Sequence, residues 1–463
     1  MKNTTKGDNL GEKKRIHLIA IGGSAMHNIA LALHHKGFQV TGSDDEIYDP
    51  ARSRLAKYGL LPAAEGWHTK RITHDLEAII VGMHAREDNP ELHRARELGI
   101  RIYSYPEYIY EQSKQSRRIV VAGSHGKTTT TAMILHVLQK LGRDTDYLVG
   151  AQLEGFETMV RLSDAPIIVL EGDEYLASPL DRRPKIHFYK PHLSIITGIA
   201  WDHINVFPTF ENYVEQFEIY IKDIEKDGVL FWYKNDEHLR KIADVNPHIR
   251  TQAYDTPTHE VVDNQTFIIK ENKKFPLQIF GKHNLQNLES AHLVCGELGI
   301  DDAEFYEAIS DFAGAARRLQ LLYKSDTNVA YLDFAHAPSK VEATVRALKE
   351  QYPARPLVGC LELHTFSSLN KDFLKEYRNT MDAADIACVY FSEHTLKMKR
   401  LPELSTQDIV SSFGHPNMKV FTQKEDLTNF LEHLSWKNSN LLMMSSGKFG
   451  GVDVKGLIAG LFD

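Results

Sequence analysis

Residues 120–137 read VVAGSHGKTTTTAMILHV, and this stretch decides how the rest of the chain is interpreted. An apolar run from Ile119 to Ala122 is followed by a glycine-rich turn and then by residues with helical spacing. This order predicts a strand, a tight loop and a helix. The backbone N–H groups of such a loop and the positive end of the following helix together form an anion site.

The residue types in the loop point to the phosphates of a nucleotide. Gly123 and Gly126 let the backbone curl without clashes, Lys127 reaches the terminal phosphates, and the Thr128 hydroxyl is a ligand for Mg²⁺. The pattern departs from G-x-x-x-x-G-K-[ST] because Val121 stands at the first glycine position. A strand–turn–helix with a surface lysine is the alternative interpretation.

Two further predicted strands end in polar residues. Glu171, Asp173 and Glu174 follow the first, and His203 follows the second within Ala200-Trp201-Asp202-His203. Because the carboxyl ends of parallel strands lie at one edge of a sheet, these side chains are candidate Mg²⁺ ligands beside the phosphate loop. Each has a simpler alternative, since an acidic turn is often solvated surface and a lone histidine is usually structural.

Composition narrows the class of protein. The 463 residues are 42% hydrophobic and 25% charged, and Lys+Arg 54 against Asp+Glu 62 gives a net charge of −8. With this net charge the protein has no overall positive potential that would attract nucleic acid or an anionic membrane. No apolar run approaches the roughly 20 residues that a bilayer span requires. The N-terminal MKNTTKGDNLGEKKR lacks the apolar region of a signal peptide. We expect a cytoplasmic protein with no nucleic-acid or membrane partner.

The three cysteines, Cys295, Cys360 and Cys388, have neither metal-ligand nor redox spacing. An odd number of scattered cysteines in a cytoplasmic chain indicates buried thiols in a reducing compartment.

Strand-type and helical segments alternate over most of the length, which predicts an α/β fold with parallel sheets. The polar stretch Glu111–Arg118 is interpreted as a linker. The predicted helices are Ser24–His35 and Asn287–Leu298, and the predicted strands are Arg15–Gly22, Phe38–Thr41, Ala78–Gly82, Arg101–Ser104, Ile167–Glu171, Leu193–Gly198, Val329–Asp333, Pro356–Leu361, Ile386–Phe391 and Asn440–Ser445.

The first strand leads into a degraded dinucleotide fingerprint. Ala20 and Gly22 are followed by Ala25 at the helix-packing position. Asp44 follows about 20 residues later at the end of a strand, where an acceptor for a ribose hydroxyl belongs. A free-standing dehydrogenase is the alternative, but it would leave two thirds of the chain unexplained.

Taken in order, these segments resemble the Mur ligase family. GSHGKTTT is similar to its shortened P-loop, which accounts for Val121, and the DEY and AWDH segments resemble its acidic and Asp-His motifs. GKHNLQN at 281–287, ARRL at 316–319 and DFAHAP at 333–338 resemble its adenine-side, linker and C-terminal motifs. The resemblance covers nearly the whole chain.

The resemblance implies an α/β ligase of three domains. Residues 1–112 form a Rossmann-like domain for a UDP-sugar, and residues 113–322 a P-loop domain for ATP. Residues 323–463 form a Rossmann-like domain for an amino acid or peptide, which closes over the site.

The resemblance also implies roles for individual residues. Lys127, Glu174, His203 and Arg318 would be catalytic, and Thr128, Glu174 and His203 would hold Mg²⁺. ATP would be bound by Gly123, Ser124, His125, Gly126, Lys127, Thr128, Thr129, Asn287, Arg318, Asp333 and His336. The UDP-sugar would be bound by Gly22, Gly23, Ser24, Ala25, Met26, Ser43 and Asp44.

Within the family, RIHLIAIGGSAMHNIA and VTGSD resemble the branch whose carboxyl substrate is UDP-N-acetylmuramate. DEYLASPLDRRPKIHFYKP and SSGKFGG favour a cell-wall peptide, L-Ala-γ-D-Glu-meso-diaminopimelate, as the amine. LELHTFSSLNKDF favours L-alanine instead, and Ala337 stands where a second histidine is usual. The implied reaction is ATP-dependent amide formation through an acyl phosphate, by a monomer or weak homo-oligomer.

Three rival functions stay open from the sequence. A folylpolyglutamate-type ligase shares the central ATP domain, but it would not carry the N-terminal glycine unit. A nucleotide-binding module without ligase activity and a catalytically silent paralogue are the other two.

Overall fold

The computed structural model describes residues 14–153, 155–201, 206–315 and 317–462. The chain divides into two units, the first ending at Tyr254 and the second beginning at Asp255. Both units combine helices with largely parallel sheets, so the predicted α/β fold class is confirmed. The division into three domains at 1–112, 113–322 and 323–463 stays a prediction.

The first sheet is built from the N-terminal part of the first unit. Its elements are β1 (Arg15–Ile19), α1 (Ser24–His35), β2 (Gln39–Ser43), α2 (Ala51–Lys57), β3 (Leu76–Val81), α3 (Pro90–Glu97), β4 (Arg101–Ser104) and α4 (Tyr105–Ser113). The strands are parallel in the order β2-β1-β3-β4. The carboxyl ends of β1, β2 and β3 therefore lie at the same edge.

The second sheet occupies the rest of the first unit. Its elements are β5 (Arg117–Ala122), α5 (Lys127–Lys140), β6 (Thr145–Leu148), β7 (Val160–Arg161), β8 (Ile167–Glu171), β9 (Leu193–Ile196), α6 (Phe210–Lys222), β10 (Val229–Tyr233), α7 (Glu237–Ile242) and β11 (Arg250–Tyr254). The order is β11-β10-β9-β5-β8-β6-β7, with β7 alone antiparallel among these strands. The central strand β5 thus has β8 and β9 as neighbours, and all three end at one edge.

The second unit contains an antiparallel sheet and a six-stranded sheet. Its elements are β12 (His259–Val262), β13 (Gln265–Lys270), β14 (Lys273–Leu277), α8 (Lys282–Glu297), α9 (Asp302–Ile309), β15 (Gln320–Lys324), β16 (Val329–Asp333), α10 (Pro338–Gln351), β17 (Leu357–Leu363), β18 (Ile386–Phe391), α11 (Glu393–Met398), α12 (Thr406–Phe413), β19 (Met418–Phe421), α13 (Lys424–Glu432), β20 (Asn440–Met444) and α14 (Val454–Phe462). The larger sheet has the order β15-β16-β20-β17-β18-β19, with β15 antiparallel to β16.

Local sequence chemistry starts several helices at defined residues. The Asn89 side chain accepts hydrogen bonds from the N–H groups of Glu91 (2.9 Å) and Leu92 (3.1 Å), and Pro90 begins α3. Such a cap satisfies N–H groups that have no partner inside the helix.

Within the first unit, α1 joins the two sheets. The Asn28 side-chain oxygen accepts a hydrogen bond from the Met159 backbone N–H (3.0 Å), and Lys36 Nζ donates to the Ser163 carbonyl (2.9 Å). A continuous buried apolar cluster includes residues from both sheets, among them Ile29 and Leu170. Burial of apolar area on this scale is the main stabilising term, so the two sheets of this unit share one core.

The prediction of a linker at Glu111–Arg118 is wrong over most of its length, because α4 continues to Ser113 and β5 begins at Arg117. The misleading residue is Arg118, which is only 2% exposed. Its guanidinium donates to the carbonyl of Tyr189 (3.0 Å) and pairs with Glu225 (2.7 Å). A buried cation that is fully hydrogen-bonded makes a core strand look polar in sequence.

The three cysteines are buried free thiols, as predicted. Cys360 and Cys388 face each other in register on β17 and β18, a proximity that their spacing in the sequence does not reveal. None of the described helices is both long and apolar enough to cross a lipid bilayer.

Candidate functional site

The phosphate loop lies at the carboxyl end of β5, where the sequence predicted it. Gly123 and Gly126 have φ values of +110° and +82°, a region that side chains with a Cβ rarely adopt. A Cβ on Gly123 would lie 2.7 Å from the Thr197 backbone nitrogen. These two positions therefore require glycine for the loop to turn tightly against β9.

Hydrogen bonds fix the loop to the end of β9. The Ser124 N–H donates to the Gly198 carbonyl (2.9 Å), and the Ser124 hydroxyl accepts from the Ala200 N–H (2.8 Å). The Thr197 hydroxyl donates to the carbonyl of His125. Tyr213 on α6 completes the network, with its hydroxyl 2.9 Å from that of Ser124. These four contacts hold the loop in its tight turn against the end of β9.

The ammonium group of Lys127 is surrounded by oxygen acceptors. Its Nζ donates to the Gly123 carbonyl (2.6 Å) and contacts both carboxylate oxygens of Glu174, at 2.8 and 3.0 Å. The Lys127 side chain is 16% exposed and that of Glu174 is 1% exposed. This buried pair brings together two predicted catalytic residues that are 47 positions apart.

The pKa values of the pair reflect opposing effects. Burial disfavours the charged ammonium, but the carboxylates of Glu174 and Asp173 outweigh it and raise the pKa of Lys127. Burial raises the pKa of Glu174 by more than the Lys127 charge lowers it. Lys127 is therefore a cation at neutral pH, as phosphate binding requires.

Thr128 and Glu171 form a second contact at the same edge. The Thr128 hydroxyl donates to one oxygen of Glu171 (2.8 Å), and the other oxygen accepts from the Gly150 N–H (2.8 Å). A Cβ on Gly150 would lie 2.8 Å from the carboxylate, so only glycine permits this approach. Glu171 was a member of the predicted acidic turn, and the structure shows that it orients the Thr128 hydroxyl.

The remaining acid of the turn, Asp173, pairs with Lys185, a residue that the sequence interpretation did not select. Burial opposes ionisation of Asp173, but the ammonium groups of Lys185 and Lys127 hold its pKa below the ordinary value. Lys185 also lies over the rings of Tyr105 (5.5 Å) and Tyr175 (5.7 Å). Its position 12 residues after Asp173 gave no periodic signal.

The oxygen atoms of Thr128 and Glu174 suit Mg²⁺, which takes one or two protein oxygens and completes its shell with water and phosphate. Among the described residues, no group of three or more His, Cys, Asp or Glu side chains is arranged to hold a metal ion by itself. The third predicted ligand, His203, lies outside the described residues. The donor set at this edge therefore fits a magnesium ion that is shared with a phosphate substrate.

The glycine turn after β1 is fastened to β2 through Asp44. One Asp44 oxygen accepts from the Gly22 N–H (2.8 Å) and the other from the Asp45 N–H (3.0 Å). Burial raises the pKa of Asp44, and these hydrogen bonds oppose the shift. The predicted contact of Asp44 with a ribose stays a prediction, whereas its hold on the turn is visible.

The other residues predicted for the UDP-sugar surround this turn. Gly23 precedes α1, and Ser24, Ala25 and Met26 form its first turn. Ser43 is completely buried and donates its hydroxyl to Glu91.

A cavity of about 550 Å³ opens at this edge of the first sheet. Asp45, Trp67, His84 and Arg86 are among its lining residues. His84 and Arg86 follow β3, and the sequence interpretation missed them although they come directly after a predicted strand. The cavity is within the size range of small-molecule sites.

The other predicted nucleotide residues lie in the second unit. Arg318 stacks over the Phe334 ring at 4.7 Å, and His336 Nδ1 is 3.0 Å from the Phe334 carbonyl. The Asp333 carboxylate accepts from the N–H groups of Leu319 (2.5 Å) and Ala335 (2.6 Å). Burial raises the pKa of Asp333, against the effect of the Arg318 charge. Arg318, Asp333 and His336 are thus brought together.

Asn287, predicted to contact adenine, is buried on α8.

The second unit also contains a cavity of about 830 Å³ at the carboxyl ends of β17, β18 and β20. Most of its lining residues are polar or charged, and none of them was among the predicted site residues, although the SSGKFGG segment in the lining was taken to favour a peptide. The lining residues are Arg317, Glu362, His364, Tyr390, Ser392, Glu393, His394, Thr395, Lys397, Thr422, Gln423, Lys424, Glu425, Ser446, Gly447, Lys448, Gly450 and Gly451.

Comparison with known families matches two models to this chain. Residues 15–117 match the model described as "Mur ligase family, catalytic domain", and residues 121–295 match the "Mur ligase middle domain". A UDP-N-acetylmuramate–L-alanine ligase of Streptococcus mutans is 30% identical over 460 residues, covering 96% of this chain and 95% of that protein.

Two solved structures show the same fold at lower identity. A murein peptide ligase from Psychrobacter arcticus has a TM-score of 0.63 at 22% identity, covering 97% of this chain and 98% of that one. A UDP-N-acetylmuramate–alanine ligase from Thermotoga maritima has a TM-score of 0.68 at 23% identity, covering 94% and 96%.

Proposed function

Since this chain belongs to the Mur ligase family, we propose that it joins the lactyl carboxylate of UDP-N-acetylmuramate to the amine of an acidic cell-wall peptide. Family membership makes it an ATP-dependent ligase.

ATP is needed because a carboxylate has no adequate leaving group. In the first step a carboxylate oxygen attacks the γ-phosphorus, the bond to the β-phosphate oxygen breaks, and ADP leaves. In the second step the amine attacks the acyl phosphate carbonyl, phosphate leaves, and the amine loses a proton. Phosphoryl transfer requires mainly positioning and charge neutralisation from the protein.

The observation that supports this chemistry is the position of Lys127. Its ammonium lies inside the ordered phosphate loop, within 3.0 Å of Glu174, and is held charged. A γ-phosphate in the loop would replace Glu174 as the anion paired with Lys127. The Lys127 ammonium would then neutralise the negative charge of the phosphates as ADP leaves. Thr128, Glu174 and His203 would hold Mg²⁺, which stabilises negative charge on the transferring phosphoryl group when bound.

For the UDP-sugar, the support comes from the glycine turn and the 550 Å³ cavity beside it. Gly22 and Asp44 bring the turn close to the end of β2, so that a pyrophosphate can approach its backbone. Arg86 supplies a cation in the same cavity. We assign this edge of the first sheet to the nucleotide-sugar.

The observation that carries the choice of a peptide is the 830 Å³ cavity in the second unit. L-Alanine has a single methyl side chain and would leave most of this volume empty. A peptide such as L-Ala-γ-D-Glu-meso-diaminopimelate has several free carboxylates, which suit the lysines in the lining. Sites that bind small molecules tightly bury most of the ligand surface.

L-Alanine is the second candidate for the amine. The relatives compared by sequence are named UDP-N-acetylmuramate–L-alanine ligases, including the one that is 30% identical over 96% of this chain. An alanine ligase would use the same phosphate loop and the same UDP-sugar site, so only the amine distinguishes the two.

One assay tests the proposal. Phosphate release from ATP is measured with UDP-N-acetylmuramate alone, with added L-alanine, and with the added tripeptide. We expect the tripeptide to stimulate release most strongly and the coupled product to be detectable by mass. Stimulation by L-alanine alone would establish the second candidate, and no release under any condition would identify a nucleotide-binding module.

A further inference from the structure

The segment Ser445–Gly451, which we call the SSGKFGG loop, follows β20 and forms one wall of the 830 Å³ cavity. Three consecutive residues in it have positive φ: Phe449 (+48°), Gly450 (+62°) and Gly451 (+88°). Phe449 is nevertheless buried, with 1% of its surface exposed. A non-glycine residue in this conformation costs energy, so the surrounding contacts must hold the loop in place.

Glu362, near the end of β17, holds the loop from one side. One of its carboxylate oxygens accepts from the Phe449 N–H (2.8 Å) and from the Ser445 hydroxyl, and the other accepts from the Gly450 N–H (3.2 Å). The Ser445 hydroxyl in turn accepts from the Gly447 N–H (2.7 Å). Glu362 is 4% exposed.

No Lys, Arg or His among the described residues lies within ion-pair distance of Glu362. Its charge is therefore met by these loop donors. Hydrogen bonds to an ionised acceptor are stronger than those between neutral groups.

Arg317 holds the loop from the other side. One of its guanidinium nitrogens donates to the carbonyls of Ser445 (3.0 Å) and Gly447 (2.7 Å). A Cβ on Gly447 would lie 2.7 Å from the Glu362 carboxylate, so the loop fits between these two side chains only with glycine there. The carboxylate thus binds the N–H groups of the loop while the guanidinium binds its carbonyls.

The SSGKFGG loop contributes two polar side chains, Ser446 and Lys448, to the lining of the cavity. The Ser446 hydroxyl is buried and has no hydrogen-bond partner among the described residues, and Lys448 is exposed. The lining contains four cationic side chains against three carboxylates: Arg317, Lys397, Lys424 and Lys448 against Glu362, Glu393 and Glu425. Since the loop uses both Glu362 and Arg317, three lysines against two glutamates remain, and the charge left for a ligand is positive.

We propose that Glu362 and Arg317 are positioning residues that hold the SSGKFGG loop as the preformed floor of this cavity, so that Ser446 and Lys448 meet the carboxylates of an acidic peptide. The inference rests on the proposed function. A preformed floor lowers the entropy lost when the peptide binds, and it therefore increases affinity for the peptide without touching the reacting atoms.

The test uses the full-length enzyme and two conservative variants, Glu362→Gln and Arg317→Lys. Gln keeps the shape of Glu362 but presents an N–H₂ group to the loop donors. Lys keeps the charge of Arg317 but lacks the planar guanidinium whose N–H groups donate in a fixed geometry. Glu376→Gln and Arg346→Lys, two exposed positions of the same unit outside the cavity, are the matched controls. The KM values for peptide, ATP and UDP-N-acetylmuramate, kcat and the unfolding temperature are measured for each.

We expect both variants to raise the KM for the peptide by roughly tenfold, the effect of losing one charge-assisted hydrogen bond. The KM values for ATP and the UDP-sugar stay within about twofold of wild type, a split that a general loss of folding does not produce. If one variant fails to fold, the other decides.

A peptide KM within about twofold of wild type would overturn the inference. So would an equal rise in all three KM values together with a lower unfolding temperature. A wild-type enzyme that responds to L-alanine but not to the peptide overturns the proposed peptide substrate and this inference together. A wild-type enzyme that responds to the peptide, with both variants unaffected, overturns this inference alone.

Discussion

Lys127 and Glu174 form a buried ion pair in which the lysine Nζ lies 2.8 and 3.0 Å from the two carboxylate oxygens. Lys127 begins the helix after the phosphate loop, and Glu174 follows the neighbouring strand β8. The pair places the cation for phosphate and a candidate ligand for Mg²⁺ at one point of the sheet edge.

Lys127→Ala is expected to lower ATP turnover by roughly 10²–10³-fold, because one electrostatic contact to the transferring phosphate is lost. Affinity for UDP-N-acetylmuramate should not change, since the glycine turn that we assign to it belongs to the first sheet. Turnover is measured by phosphate release and affinity by calorimetry. Lys241→Ala, at an exposed position on α7, is the control. Turnover at the wild-type rate would contradict the role of Lys127.

Gly22→Val is expected to raise the KM for the UDP-sugar by roughly tenfold or more, an effect of over 1.4 kcal/mol. A Cβ at position 22 would lie 2.9 Å from the Asp44 carboxylate and 3.2 Å from Ile47, so the carboxylate that holds the turn is displaced. The KM for ATP should stay the same. Gly460→Val, where a Cβ meets open space, is the matched variant. An unchanged KM for the sugar would show that this turn holds something else.

Arg318→Ala is expected to raise the KM for ATP or lower kcat by roughly tenfold or more while the KM for the peptide stays constant. Both arginines lie over the Phe334 ring, but Arg318 faces Asp333, whereas Arg317 donates to the SSGKFGG loop. Steady-state kinetics with each substrate varied in turn distinguishes the role of Arg318 from that of Arg317. An equal effect of Arg318→Ala on the peptide KM would show that they act as one unit.

His283 predicts a pH dependence of stability. Desolvation lowers its pKa to about 4 in the first turn of α8, below the ordinary value of about 6.5. The unfolded chain therefore binds a proton more readily, and stability falls as the pH drops from about 6.5 towards 4. Urea unfolding across this range should show a shallower loss for His283→Gln. Parallel curves for both proteins would exclude His283 as the source.

The phosphate loop, the acidic turn and several strands were predictable because their signals are local. Ile167–Glu171 and Val329–Asp333 are strands with the predicted bounds, since apolar runs ended by polar residues mark buried parallel strands. The approach of Lys127 to Glu174 was expected from the rule that such strands end at one edge.

The contacts by which Glu362 and Arg317 hold the SSGKFGG loop were not predictable in the same way. Glu362 and Phe449 are 87 residues apart and Arg317 and Gly447 are 130 apart, and neither pair has a periodic signal. Arg118 was misread for a related reason: the partners that make its burial possible, including Glu225, are distant in sequence. Contacts of this kind depend on the order of strands in the sheet, which a single sequence does not specify.

The buried cysteines make unfolding measurable by chemistry. All three lie after residue 255, in the second unit, and are shielded from alkylating reagents in the folded chain. Covalent labelling during denaturation therefore reports on the opening of that unit alone, without any engineered probe, whereas tryptophan emission, from Trp67, Trp201 and Trp232 in the first unit and Trp436 in the second, follows both.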